Sequence, residues 1–351
     1  MIICLSSGSR ERYRQDVILS LAMPEDHVLQ FRYDMNWVSP IILDKFKNNS
    51  IINETALIAY LDQSDKEKEP ELIPCRLAQI INAATHGSTV SLQFTLGEFA
   101  YASDIQALNH EIRSLSGGTL PDWDEAGKPR GHYCVWIESQ KLSTMVTSSE
   151  LYVWENIVKQ IAVRNDFLCE KCFYIVDSIV NVETKKEANF HNGMYKLASS
   201  SEYELNLYHY HPSEGKSNAY LLCKSQMPLI TPLTNPTMLV NSRYDMKHYR
   251  FLTARTSTNM RSILSMYRGH GESKDEIPVL DFDLNVQIKG VYLRKIVVGF
   301  LIGIALASPH ITAAISNNQL SREAKIAVSV VSLLSSLLVG LLASFNLKRD
   351  M

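Results

Sequence analysis

The stretch IVVGFLIGIALASPHITAAI, from Ile296 to Ile315, contains no acid, lysine or arginine. After a ten-residue polar loop, a second uncharged run, IAVSVVSLLSSLLVGLLASFNL, extends from Ile326 to Leu347. About 20 apolar residues in a helix span the hydrocarbon core of a bilayer. The alternative is a buried hairpin in a soluble core, but core helices of this length usually carry a charged face. The two runs therefore predict a C-terminal transmembrane helical hairpin.

Basic residues are concentrated on one side of this hairpin, at Lys289, Arg294, Lys295, Lys348 and Arg349. The connecting loop has two basic residues, partly offset by one acid. Because basic flanks favour the cytoplasmic side of a membrane, we expect both termini and residues 1–290 in the cytoplasm. The N-terminal sequence turns polar after five apolar residues, so we expect no signal peptide.

Small residues recur at four-residue spacing in both runs, a pattern that lets helix backbones approach closely in lipid. The candidates for helix packing are Gly299, Gly303 and Gly340, and the candidates for lining a pore are Ser329, Ser332 and Ser336. These residues could serve only to pack the hairpin against itself, or they could also contact neighbouring subunits or a water path. The spacing alone does not decide between these alternatives.

The chain has 351 residues, a net charge of −2 and six scattered cysteines. Without the hairpin it is long enough for two compact domains, and its balanced charge gives no overall attraction to nucleic acid. We expect the cysteines of a cytoplasmic protein to be reduced. The Walker A, GxGxxG, HExxH and GxSxG motifs are absent from the sequence. We therefore predict no enzymatic activity, no metal and no cofactor.

Strand-like segments dominate the residues before the hairpin, so the predicted fold is mainly β (α+β) with a C-terminal two-helix transmembrane hairpin. Residues 1–145 predict a barrel-like N-terminal α+β domain, and residues 146–164 predict a connecting helix. Residues 165–290 predict a β-sandwich sensor domain, and residues 291–351 hold the hairpin. The alternating strand Val279–Ile288 runs almost directly into the first span, so a change in the sandwich would pull on that span.

Cys169 and Cys172 form a CxxC, and His209 and His211 could complete four zinc ligands. However, Cys172 begins an apolar strand and no second CxxC exists, which favours two ordinary cysteines. The histidines alternate with tyrosines, a pattern that suits either structural residues or a surface for a partner or for bases. An enzyme built on this cluster is a further alternative.

Between Arg243 and Arg268 the chain carries six basic residues against one acid, with aromatic residues interleaved. Arginine binds phosphate through two parallel hydrogen bonds, and aromatic rings can stack on bases. The candidate ligand-binding residues are Arg243, Tyr244, Lys247, His248, Arg250 and Arg255. Three interpretations stay open: an anionic ligand such as a nucleotide or oligonucleotide, anionic lipid headgroups, or a solvated face or subunit interface.

The hairpin Ile296–Leu347, its serine stripe and the missing enzyme motifs give a layout that resembles the membrane effectors of bacterial anti-phage defence systems, in particular the Hailong-type effector. The resemblance implies a homo-oligomeric channel, taken as a tetramer, in the bacterial inner membrane. A nucleotide or oligonucleotide second messenger from a partner nucleotidyltransferase would open it and depolarise the cell. No family motif matches residue by residue, so no site residue is carried over. The alternative is a membrane-anchored adaptor or receptor subunit without a pore.

Overall fold

The computed structural model describes residues 2–346 except 8–10, 49, 64–67, 124–127, 140, 165–171, 192, 212–218, 226–227, 235–236, 240–243, 271–278, 291, 318 and 320. Strands outnumber helices in these residues and form several sheets, and two apolar helices follow the last strand. The predicted fold class, mainly β with a C-terminal pair of apolar helices, is confirmed.

The N-terminal part contains β1 (Ile2–Ser7), α1 (Glu11–Ala22), β2 (Val28–Asp34), α2 (Pro40–Lys47), β3 (Thr55–Asp62), β4 (Glu71–His86), β5 (Thr89–Tyr101), α3 (Ile105–Leu115), β6 (Asp122–Trp123), β7 (Pro129–Arg130), β8 (Cys134–Ile137), β9 (Val146–Ser148) and α4 (Leu151–Ala162). The middle part contains β10 (Phe173–Asn181), β11 (Asn189–His191), β12 (Met194–Ala198), β13 (Glu202–Tyr210), β14 (Ala219–Ser225), β15 (Ile230–Pro232), β16 (Thr237–Leu239), β17 (Tyr244–Thr253), β18 (Met260–His270) and β19 (Val279–Lys289). The C-terminal helices are α5 (Tyr292–Ser316) and α6 (Arg322–Asn346).

The N-terminal sheet curls into a barrel-like shape. Its strands lie in the order β2–β5–β4–β3–β1–β8, and β9 pairs with β5. Strand β1 runs parallel to β3, whereas the other neighbours are antiparallel. The two edges meet just after β2, where Val38 bridges Cys134 and the Tyr133 amide donates to the Trp37 carbonyl at 2.8 Å. Meeting edges of this kind leave little unpaired backbone at the sheet ends.

Helix α1 packs on this sheet, and neither it nor β1 was predicted from the sequence. Its buried side chains Val17, Ile18 and Leu21 fall at i, i+1 and i+4 spacing, which is the periodic signal that could have identified it. The carbonyls at its C-terminal end accept hydrogen bonds from Arg76, a fully buried residue of β4. A cation at a helix C-terminus also interacts favourably with the helix dipole.

The two larger middle sheets face each other as a sandwich. One has the order β10–β13–β17–β15, and the other has the order β11–β12–β19–β18–β14–β16. In β19 the buried residues Phe282, Leu284, Val286 and Ile288 alternate with more exposed polar ones, as the sequence pattern predicts for a sheet with one buried face. Phe282 stacks on Tyr174 of the opposite sheet, with ring centroids 6.0 Å apart.

Helix α4 lies between the barrel-like sheet and the sandwich. Its fully buried Trp154 donates from Nε1 to the Leu21 carbonyl at 3.1 Å, at the end of α1. The same indole meets Tyr208 and Tyr210 of the sandwich edge to face. Glu155 accepts a 2.6 Å hydrogen bond from the Tyr208 hydroxyl. One helix therefore contacts both parts of the chain.

Candidate functional site

The outer face of β13 and β17 is a ladder of paired polar side chains. Opposite residues in an antiparallel register share a face, which places Glu204 beside Arg250 and Asn206 beside His248. The Arg250 Nε donates to Glu204 at 2.8 Å, and its Nη1 lies 3.9 Å from Glu202. The His248 ring nitrogen Nδ1 lies 2.7 Å from the Asn206 side-chain oxygen.

The charges on this ladder are balanced within the chain. The hydrogen bond from Arg250 holds the pKa of the Glu204 carboxyl below its ordinary value, and the same contact raises the pKa of Arg250. An incoming phosphate would have to displace two carboxylates from this guanidinium. Because the pair is exposed to solvent, its Coulomb energy is small, so such an exchange is feasible.

The structure separates the basic residues that lie close together in the sequence. Arg243 lies outside the described residues, and Tyr244 begins β17. Lys247 lies on the opposite side of β17 from His248, since neighbouring strand residues alternate. Arg255 is exposed in the loop after β17, and Arg261 belongs to β18 in the other sheet. The predicted ligand set therefore does not share one face, and its binding role stays a prediction.

The CxxC and histidine residues do not assemble a metal centre in the described residues. Cys169 lies outside them, and Cys172 is buried just before β10. No group of three His, Cys, Asp or Glu side chains with metal-binding geometry occurs in the described part of the chain. His209, Tyr210 and His211 are buried, so the alternative of an exposed base-stacking surface at these residues is wrong. Tyr210 packs against Trp154 of α4, and His209 lies on the opposite side of β13, with Leu207.

Helices α5 and α6 are long and apolar enough to cross a membrane, over Val297–Ser316 and Arg322–Gly340. The two helices approach each other most closely at glycine residues, which have no side chain to separate the backbones. A Cβ atom on Gly340 would clash with the Gly299 carbonyl oxygen, and one on Gly303 would lie 2.7 Å from the Leu337 Cα. The three predicted packing glycines therefore lie at this contact, where a larger side chain would push the helices apart.

The predicted pore-lining serines lie on the inner side of the hairpin. Ser329, Ser332 and Ser336 are half-buried along one stripe of α6 that ends at the buried Gly340. The stripe faces α5, because the Ser336 carbonyl approaches Gly303. Outward-facing residues of α6 are mostly large and apolar, for example Leu334, which is 62% exposed. A pore-lining role for the three serines stays a prediction.

The junction between the sandwich and α5 is short and closely packed. Strand β19 ends at Lys289 and α5 begins at Tyr292. The Gly290 amide donates to the Asn259 side-chain oxygen at 3.0 Å, and a Cβ atom at Gly290 would meet the Ser257 carbonyl oxygen at 2.5 Å. This glycine is therefore held against the loop before β18. Sequence reasoning identified the short connection but not Gly290, although a glycine between a strand and a helix is a recognisable signal.

A second contact joins the barrel-like part to the sandwich. His27 precedes β2, and its Nε2 lies 3.0 Å from the Tyr195 hydroxyl of β12. Its Nδ1 lies 3.1 Å from the Glu25 carbonyl oxygen, which can only accept, so Nδ1 carries the proton and Tyr195 donates to Nε2. The ring also stacks on Phe190, with centroids 4.1 Å apart. Burial lowers the pKa of His27. No local sequence pattern predicts this contact, because the two residues are 168 positions apart.

No protein-family model matches the chain, and no curated protein matches it significantly.

Proposed function

We propose that the chain is a membrane effector whose cytoplasmic domains sense an anionic signal and open an oligomeric transmembrane pore. The proposed signal is a nucleotide or oligonucleotide made by a partner nucleotidyltransferase. The observation that carries this proposal is the junction at Gly290, where a connection of only two residues joins a sandwich strand to an apolar helix. A ligand that binds two arrangements of the sandwich unequally would shift the helices between two states.

The packed serine stripe suggests which state the hairpin occupies. Ser332 and Ser336 lie against α5, so they do not face an aqueous path in this arrangement of the helices. We therefore assign this arrangement to the closed state. Opening would turn the stripe towards a pore shared by neighbouring copies, with hydroxyl groups replacing part of an ion's hydration. The exposed apolar residues of α5 and α6 would contact lipid or the neighbouring copies.

Liposome flux with an engineered cysteine tests the pore. Full-length Ser336→Cys protein would be reconstituted and exposed to the small-molecule fraction of cells that carry the neighbouring genes. We expect ion release that a charged, water-borne thiol reagent blocks. Ser335→Cys is the matched control, because Ser335 is exposed on the adjacent side of α6 and should conduct without being blocked. No release from liposomes that contain correctly inserted protein would contradict the pore.

A membrane-anchored adaptor without a pore is the second candidate, and the internal serine stripe favours it. If the hairpin only anchors the chain, glycine and serine contacts within it are sufficient and no second state is needed. Replacing residues 292–346 with an unrelated two-span hairpin separates the candidates. An anchor should keep its cellular activity after this exchange, whereas a channel should lose it.

A further inference from the structure

The end of the sandwich nearest α5 carries three basic side chains that come from distant parts of the sequence. Lys196 of β12 and Arg261 of β18 both pair in register with Gln287 of β19. Lys289 lies two residues further along β19, and therefore on the same side of the sheet. The opposite side is core, where Leu197 and Ile288 are fully buried. The three cations, the Lys196–Arg261–Lys289 cluster, thus share the outer face.

The cluster has no acidic partner in the part of the chain that the structure describes. The Lys196 ammonium donates to the neutral Gln287 oxygen at 2.8 Å, and Arg261 and Lys289 are exposed. Burial lowers the pKa of Lys196, and the positive charges of Arg261 and Lys289 lower it further. Asp283, on the same face, accepts a 2.5 Å hydrogen bond from Ser265 and lies four residues before Gln287 in β19, away from α5. Like charges held together in this way favour a polyanionic ligand.

The position of the cluster indicates which anion it meets. Lys289 is followed by α5 from Tyr292, and the apolar span begins at Val297. Five helical residues rise about 7.5 Å, and the headgroup layer of one leaflet is roughly 5–8 Å thick. Lys289 lies three residues before α5, about 10 Å of extended chain, so its Cα is within about 17 Å of the apolar span and about one Debye length from the headgroup layer. Lys196 and Arg261 lie about 7 Å further from the span along the strand direction, and a sandwich that leans with its outer face towards the membrane brings their long side chains to the same layer.

We propose that the Lys196–Arg261–Lys289 cluster binds anionic lipid headgroups and holds the sandwich against the membrane surface. The proposal rests on the membrane hairpin but not on a pore. Three cations at one site are attracted to an anionic leaflet, and no acidic side chain of the described residues pairs with them. Bound headgroups would fix the sandwich end beside Gly290, so that movement within the sandwich passes to α5 instead of tilting the whole domain.

Lysine reactivity in nanodiscs tests this site. Full-length protein would be reconstituted in nanodiscs of neutral lipid alone, or with added anionic phosphatidylglycerol, and treated with an amine-acylating reagent. We expect anionic lipid to reduce acylation of Lys196 and Lys289 several-fold and to leave the exposed Lys141 of the N-terminal part unchanged. High salt should restore reactivity, because it screens exposed charges. Equal acylation in both lipids would overturn the proposal.

A charge-removing variant and a competing free anion test whether the site binds lipid headgroups. Arg261→Gln removes an exposed cation, so the fold should survive, and protection of Lys196 by anionic lipid should fall about fivefold. Arg130→Gln, in the N-terminal part, should leave protection unchanged. If inorganic phosphate protects the two lysines equally well in neutral nanodiscs, the site takes a free anion and the lipid proposal fails. Protein that does not enter nanodiscs at all would overturn the membrane hairpin as well, whereas inserted protein that shows no ion flux would overturn only the pore.

Discussion

Arg76 is a charged residue that stabilises the fold and lies outside the candidate functional site. Its guanidinium is buried and donates to the backbone carbonyls of Ser20, Met23 and Gly97, joining the end of α1 to strands β4 and β5. Burial lowers the pKa of Arg76 to about 10, so the side chain stays charged at neutral pH. A sequence scan for ligand-binding arginines cannot separate such a residue from one that binds phosphate.

Replacing Arg76 should destabilise the N-terminal part. Arg76→Met removes all three donors and leaves buried carbonyls without partners, which we expect to cost about 3 kcal/mol of unfolding free energy. The measurement is thermal unfolding of the full-length protein in detergent, followed by tryptophan fluorescence. Arg130→Met is the control, because Arg130 is exposed and its ion pair among the described residues is with Asp122 at the surface. Equal melting temperatures for both variants would show that the Arg76 contacts contribute little.

His27 should make the stability of the protein depend on pH. Burial lowers its pKa in the folded state, so between the folded and unfolded pKa values the unfolded chain binds more protons. Stability should therefore fall as pH decreases below about 6.5. We expect wild-type protein to lose more thermal stability than His27→Gln between neutral and mildly acidic buffer. A larger loss in the variant would contradict the assigned contact with Tyr195.

At the scale of elements, the hairpin depends on glycine contacts between α5 and α6. Gly340→Ala would place a methyl group against the Gly299 carbonyl and force the helices apart, at a cost of about 1–3 kcal/mol. Ser335→Thr adds one methyl group on the exposed side of the same helix and should be nearly neutral. Melting of the two variants in detergent compares them. If Ser335→Thr is the more harmful change, the helices do not pack through the Gly340 face.

Elements with strong periodicity were predictable from the sequence, and contacts between distant segments were not. The alternation in β19 was predicted closely, because burial on one face imposes a two-residue period. Local sequence did not decide burial in the first turn of α4, where Leu151 is 38% exposed and Val153 is buried, since packing at a helix end follows its neighbours. Helix α1 was missed because its first turn is polar.

The candidate sites illustrate the same limit. The sequence between Arg243 and Arg268 suggested one basic patch, yet the turn between β17 and β18 distributes these residues over two sheets. Arg250 is balanced by two acids of β13 that lie almost fifty residues earlier. In contrast, the Lys196–Arg261–Lys289 cluster exists only because β12 and β18 flank β19. The order in which strands pair determines which charged residues lie together, and local sequence does not encode that order.

At the scale of the whole molecule, the contacts form a continuous route from the barrel-like part to the apolar helices. His27 contacts Tyr195 in β12, β12 pairs with β19, and β19 leads through Gly290 into α5. Helix α4 adds a parallel contact through Trp154. A ligand bound at either soluble part could therefore bias the hairpin, provided that it binds one arrangement better than the other.

Gly290→Ala should uncouple the two parts. The added methyl group would meet backbone atoms of Ser257 and Thr258 and displace the start of α5 from the sandwich. We expect the variant to reach the membrane and to lose signal-dependent depolarisation. Asn285→Ala, at an exposed position of β19, is the matched control and should behave as wild type. Normal depolarisation by Gly290→Ala would show that the signal does not pass through this junction.

Membrane potential in intact cells reports whether the proposed pore opens in response to its signal. The wild-type chain would be expressed alone and together with the genes encoded beside it, and the potential would be followed with a voltage-sensitive dye. We predict depolarisation only when a neighbouring nucleotide-synthesising gene is present, and none with the Gly290→Ala chain. A potential that stays intact, in cells where the wild-type protein is found in the membrane and its activating gene is expressed, would contradict the account and favour a membrane anchor.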